Sequence, residues 1–262
     1  ADSKNLEFHI NEGKKLKIRE IVINGNNSIS DFWVNWQLKD TKPWNWYTPW
    51  RGKWDPAEFD NDKENLKTYY RNKGYRDFNI NDEYIEITQD NKGLRLVLDV
   101  TEGPLYYFRN FSWEGNYLYS DSKLQNTLGL KSGDVFSKMK FDIAVSEKVT
   151  PLYMDKGYFY FQIIPNVLPI GQDSLDVNFK ISENNIVKVR KILISGNEKT
   201  DENVIRRELM IFPGDVFSRK KLLDSYRDIF ILNFFNNVIP NVLPVDEDQV
   251  DLVPPGGEFS SN

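Results

Sequence analysis

His9 is the only histidine in a chain that has no cysteine, and these two facts narrow the available chemistry. A Ser-His or Cys-His nucleophile could be built only on His9. Disulfides, thiolate zinc sites and cysteine nucleophiles are excluded. His9 lies on the polar side of an alternating run, with Leu6, Phe8 and Ile10 opposite Glu7, His9 and Asn11, and reads as a surface histidine of a half-buried strand. Neither G-x-x-x-x-G-K-[ST] nor G-x-G-x-x-G occurs, so no phosphate-cradling loop is visible. The 39 acidic residues leave a carboxylate pair open, although solvated faces and caps account for most of them. The reading is a protein that is not an enzyme and carries no metal, nucleotide or other cofactor.

Two other groups of residues bear on binding. Ile-Pro-Asn-Val-Leu-Pro at 164–169 recurs letter for letter at 239–244. Proline cannot donate to a ladder, so Pro165 and Pro240 mark their strands as sheet edges. Such edges either accept an incoming strand or are protected from one by the proline itself. The expected client-binding edges are 159–165, with Phe159, Phe161, Ile163 and Pro165, and 235–240, with Phe235, Val238 and Pro240. The second group is Trp44, Trp46, Tyr47, Trp50 and Trp54. It reads as a self-packed miniature core, with Trp44, Trp46 and Trp50 at least partly shielded from water. Its alternatives are a partner-docking loop and a sugar-stacking surface, which would make the chain a glycan-binding or purely structural module.

The elements that position these residues repeat. Apolar-Arg-x-apolar-x-apolar-x-Gly-Asn occurs at 18–26, 108–116 and 189–197, and Gly-Asp-Val-Phe-Ser at 133–137 and 214–218. A recurring landmark order is the mark of tandem modules. We read 1–14 as the last strand of a preceding module, 15–104 as a module with a Trp-rich insertion, and 105–185 and 186–253 as two more. The tail 254–262 is foreign to the repeat. Aromatics at 14% suit small modules, which need large side chains to bury enough area. A net charge of −5 with no basic stripe argues against nucleic acid.

Each module reads as β-α-α-β-β. In the first, Ser30 is expected to cap one helix, and Asp55, with Pro56 at N1, the next, which stops at Gly74. In the second, Ser137 caps a helix that Pro151 should kink or loosen. In the third, the expected caps are Thr200 and Ser218, with Leu222, Tyr226, Ile229 and Phe230 on one apolar face. Gly25, Gly115 and Gly196 sit where a strand turns sharply into a helix, so positive φ is expected. Arg19, Arg109 and Arg190 project to the polar sheet face.

The third module carries Ser195-Gly196-Asn197 with Thr200, Val-Ile-Arg-Arg-Glu-Leu at 204–209, Pro213-Gly214-Asp215 with Phe217 and Ser218, and Asn233-Phe234-Phe235 with Val238. These residues resemble a POTRA (polypeptide-transport-associated) domain, and the tandem resembles the periplasmic arm of BamA-type outer-membrane assembly factors. The resemblance covers 1–253 and is weakest in the first module, which has the insertion and lacks the Gly-Asp-x-Phe landmark. It implies an α+β fold, each module a three-stranded mixed sheet with the last strand central and two helices on one face. It implies a C-terminal β-barrel outside this chain, attachment through it to the outer membrane, and a periplasmic location. The implied partners are outer-membrane assembly lipoproteins and unfolded outer-membrane β-barrel proteins, bound partly by strand addition, without cofactor or nucleotide.

Overall fold

The structure is a computed structural model and describes residues 16–194, 201–233 and 241–253. The expected strand of 1–14 with His9, the Gly196 corner, the Thr200 cap and the tail 254–262 lie outside those residues.

The first module runs β1 (Ile18–Asn24), α1 (Asp31–Gln37), α2 (Pro56–Asn72), β2 (Asn79–Ile87) and β3 (Leu94–Thr101). The second runs β4 (Tyr107–Glu114), α3 (Asp121–Leu128) and α4 (Lys138–Ile143). A π-helical stretch at Ala144–Val149 then leads into α5 (Thr150–Met154), followed by β5 (Gln162–Ile170) and β6 (Ser174–Ser182). The third runs β7 (Lys188–Ile192), α6 (Glu202–Arg206), α7 (Arg219–Ile231), β8 (Asn241–Pro244) and β9 (Gln249–Val253). The sheets have the orders β1-β3-β2, β4-β6-β5 and β7-β9-β8. In each, the last strand is central, parallel to the first and antiparallel to its hairpin neighbour. The fold is the tandem α+β array that the repeat implies.

Alternation builds the cores. Leu96, Leu98 and Val100 of β3 meet Val34 and Leu38 from the first helix region and Phe59, Leu66 and Tyr70 of α2. Val250 and Leu252 of β9 meet Ile205, Leu222, Tyr226 and Ile229. Each such side chain contributes about 1.5–3 kcal/mol by leaving water. Phe230 departs from the expected stripe: it is exposed, because the narrow stripe of α7 is filled by Leu222, Tyr226 and Ile229.

The caps follow their chemistry with two corrections. The Asp55 carboxylate accepts from Ala57 N and Glu58 N, and Ser218 accepts from Lys221 N. Ser30 holds the N-cap position of α1 without a side-chain bond; the corner is tied instead by Asn26, whose Nδ2 donates to Asp31 Oδ1 at 2.6 Å. The cap of α6 is Asp201, which accepts from Asn203 N. Pro151 loosens its helix as expected: it cannot donate, and the preceding turn widens to π geometry, with Thr150 N bonded to Val145 O.

Gly25 and Gly115 have φ of 94° and 84°. A Cβ there would lie 2.1 Å from Val100 O and 2.2 Å from Ile181 O, so the first strand turns hard against the central one and only glycine fits. In all three sheets the register slips in the first strand at the aligned arginine, between Ile18 and Glu20, Phe108 and Asn110, and Val189 and Lys191. This repeated bulge re-aims the arginine. Arg109 and Arg190 each grip an aspartate of the central strand: Arg109 Nε meets Asp176 Oδ1 at 2.8 Å and Arg190 Nε meets Asp251 Oδ1 at 2.9 Å. The first module swaps the polarity, with Arg95 of β3 bonded to Glu20 at 2.7 Å.

Candidate functional site: sheet edges and an aromatic loop

Every sheet here has two edges, and one is covered from within at its start. Phe108 N donates to Asp134 O at 2.9 Å and Phe108 O accepts from Gly133 N at 2.7 Å. In the third module Val189 makes the same pair with Asp215 O, 2.9 Å, and Gly214 N, 2.7 Å. The Gly-Asp-Val-Phe landmark thus covers the start of the first-strand edge. Ile18, the aligned residue in the first module, donates to Gly52 O at 2.8 Å and accepts from Trp44 N at 2.7 Å. The Trp-rich insertion stands in for the missing landmark.

The opposite edges are open. Among the described residues, no backbone hydrogen bond reaches the outer side of β2, β5 or β8. The three strands differ in donors. In β5, Pro165 and Pro169 stand opposite Phe179 and Leu175 in an unbroken register. An edge proline turns its nitrogen outward, so Ile163 and Val167, of the same parity, hold the remaining outward N–H groups. In β8, Pro244 shares its parity with Val242. β2, Asn79–Ile87, has no proline, and only Ile80 is not exposed.

The predicted edge residues divide. Ile163 and Pro165 lie half-buried on β5. Phe159 and Phe161 precede the strand, which starts three residues later than the alternation suggests, because Phe159 N bonds to Gly157 O and Phe161 N to Tyr158 O in a turn. The Phe161 ring stacks on Tyr153 at 4.0 Å, and Phe159 lies 5.1 Å from Phe217 against the third module's core. Both are packing residues. Phe235, Val238 and Pro240 lie outside the described residues.

That turn also ties the second module to the third. Val187 N donates to Gly157 O at 2.8 Å and the Tyr160 hydroxyl to Asp246 O at 2.8 Å. Asp155 accepts from Lys220 N, 2.6 Å, in the first turn of α7, and Arg219 pairs with Glu147 at 3.1 Å. A cleft of about 490 Å³ remains beside Tyr160, Asn184, Val245 and Asp246.

The aromatic loop departs from its expectation at the tip. Trp44 is half-buried, its ring 5.2 Å from the Arg19 guanidinium, and Trp54 packs 5.1 Å from Phe59. Trp46, Tyr47 and Trp50 are 70%, 70% and 75% exposed. The reason is anchorage. Both ends of the loop are held at Ile18, and Asn45 Oδ1 closes a tight turn by accepting from Thr48 N at 2.9 Å. No layer remains beneath the tip to bury three rings; Trp46 and Tyr47 cover only each other, 3.7 Å apart.

Two supports were not read from the sequence. Asp62, fully buried on α2, accepts from Lys39 N, Asp40 N and Thr41 N at 2.7, 3.1 and 2.6 Å, fixing the entry to the loop. Glu102 accepts from Ser28 N at 2.8 Å and from the Tyr70 hydroxyl at 3.1 Å; burial and that carboxylate push the Tyr70 phenol up. Glu183 repeats the role with Leu118 N at 2.8 Å. The signal was an acidic residue directly after the returning strand of each of the first two modules. Among the described residues, no group of three or more His, Cys, Asp or Glu is placed to hold a metal, and no helix is long and apolar enough to cross a membrane.

Comparison with known proteins agrees with this geometry. The POTRA family model, described as a surface antigen variable number repeat, matches residues 16–103, 106–184 and 187–253. The outer membrane protein assembly factor BamA of Buchnera aphidicola is 27% identical over 96% of this chain, which spans 41% of that protein. BamA of Neisseria meningitidis is 28% identical over 95% of the chain, which spans 32% of it. These relatives are named as assembly factors rather than enzymes. The crystal structure of Haemophilus influenzae BamA POTRA3-5 superposes with a TM-score of 0.71 at 20% identity, covering 91% of this chain and 95% of that one, a likeness of fold.

Proposed function

The chain belongs to the POTRA family, as a tandem array of the BamA type, and from that premise we propose that it is the periplasmic arm of an outer-membrane protein assembly factor. It binds partner lipoproteins and unfolded β-barrel clients and passes the clients toward a membrane-embedded barrel of the same protein, outside these residues. Client segments add as strands to β5, around Ile163 and Pro165, to the edge that includes Phe235, Val238 and Pro240, and to β2. The observation that carries this reading is the asymmetry of the sheets: a local segment covers the start of the first-strand edge at Ile18, Phe108 and Val189, while no backbone bond reaches the outer side of the hairpin strand among the described residues. Pairing through backbone groups tolerates many client sequences, and the ordering of an unfolded segment keeps the affinity low. The prolines temper the edges without closing them, and β2 offers the fuller set of donors.

The test is a titration of the isotopically labelled chain with peptides from the last strand of an outer-membrane barrel. Backbone resonances of 79–87, 162–170 and 241–244 are expected to move, and Val167→Pro, which removes an outward donor, to weaken the β5 response. Shifts confined to the helices, or indifference to the substitution, would sink the strand-addition reading. The exposed tip Trp46, Tyr47 and Trp50 stands apart from these client edges.

A further inference from the structure

Six of the seven tryptophans lie between residues 33 and 54. Phe32, Trp33 and Trp36 of α1 are exposed, and Phe32 and Trp36 share a cleft of about 350 Å³ with Lys42 and Pro43 at the root of the loop. The helix face and the loop are therefore continuous. The loop itself leans basic. Residues 31–55 hold Lys39, Lys42, Arg51 and Lys53 against Asp31, Asp40 and Asp55, a formal +1 in a chain of −5, with Lys53 Nζ 3.3 Å from Asp55. Lys17 Nζ is drawn to the loop by Pro49 O at 2.6 Å. From 39 to 54 there is no Leu, Ile, Val or Met.

We propose that this loop, with the outer face of α1, is a membrane-surface anchor that seats in the headgroup layer of an anionic phospholipid bilayer. Trp and Tyr rings prefer that layer, where one end of the ring is apolar and the other wet. Basic side chains beside them meet lipid phosphates. Tryptophan, tyrosine and arginine also serve protein hot spots, but those sit in packed pockets, whereas these tip rings stand out from the surface and have no aliphatic companions. The anchorage at Ile18 and the Asn45 turn hold the tip rigid, so little order is lost on insertion. The inference rests on the reading that the chain hangs from a membrane-embedded barrel, and it adds which layer the first module touches.

The test mixes the 262-residue chain with vesicles of phosphatidylethanolamine and phosphatidylglycerol, and separately of phosphatidylcholine, and reads flotation and tryptophan emission. The chain is expected to float with the anionic vesicles, with emission shifted to the blue, and to release as salt rises. The triple variant Trp46→Ser, Tyr47→Ser, Trp50→Ser is expected to lower partition by roughly tenfold or more, and Arg51→Glu to weaken it further from anionic than from neutral vesicles. Should the triple variant lose its circular dichroism, Trp50→Ser alone decides. Absence of flotation, or flotation indifferent to these variants, overturns the proposal. So does capture of a partner lipoprotein or of glycan fragments through the loop without vesicle binding. Client-peptide titration of the same variants separates the two readings: a chain that binds peptide but no longer floats supports the anchor, and a chain that floats but binds no peptide strikes the edges alone.

Discussion

Gly115 and Gly133 look alike in backbone angle, with φ of 84° and 88°, yet their surroundings differ. A Cβ at Gly115 meets Ile181 O at 2.2 Å, while one at Gly133 meets nothing within 4 Å. Gly133→Ala is expected to cost about 1–2 kcal/mol, the strain of a left-handed alanine. Gly115→Ala should exceed it by at least about 1–3 kcal/mol, since backbone must also shift. Urea unfolding of the two variants measures the difference, and equal losses would contradict the close strand crossing. The Gly-Asn corner was legible because it recurs. Asp62 was not, because nothing in one sequence marks which acid on a helix faces inward. Asp62→Ala orphans the N–H groups of Lys39, Asp40 and Thr41 and should cost about 2–3 kcal/mol in the same assay; a loss below about 0.5 kcal/mol, typical of a surface site, would show that the loop entry is held otherwise.

The helices, strands and their order were readable from period and caps, and the discrepancies arise where tertiary contacts compete with period. β5 begins after Phe161 because the third module's core and Tyr153 claim the aromatics before it. The Trp loop stays exposed because its two ends are held by β1. Arg109 and Arg190, read only as projecting to the polar sheet face, are cross-strand clamps, which needs register, not spacing, to see. Their electrostatics predict a pH effect. The guanidinium of Arg109 holds the Asp176 carboxyl below its ordinary value, and Arg190 does the same for Asp251. A carboxyl whose folded value is depressed contributes stability above the unfolded value of about 3.9, and that contribution is lost as pH falls through the folded value. The double variant Asp176→Asn, Asp251→Asn is therefore expected to lose stability at neutral pH and to show a flatter decline between about pH 4 and the folded values. An unchanged acid limb in thermal unfolding would contradict the clamp.

Across the molecule, the second and third modules are joined by more than a linker. Asp155 caps α7 from the neighbouring module, and Phe159 and Tyr160 pack on the third core. Asp155→Ala is expected to separate one cooperative unfolding step into two, seen as a broadened urea transition with a lower slope; an unaltered transition would show that the cap does not couple them. Repeats and landmarks made the array visible in the sequence, whereas the cover at the start of the first-strand edge emerged only from the hydrogen bonds of Ile18, Phe108 and Val189. The central claim, that clients add as strands to those open edges, is tested most directly by amide hydrogen exchange of the chain with and without a barrel-strand peptide. Protection is expected at alternate residues of β2 and at Ile163 and Val167 of β5, with Ile18, Phe108 and Val189 unchanged. Protection that ignores the two-residue alternation, or that appears on the covered edges instead, would contradict it.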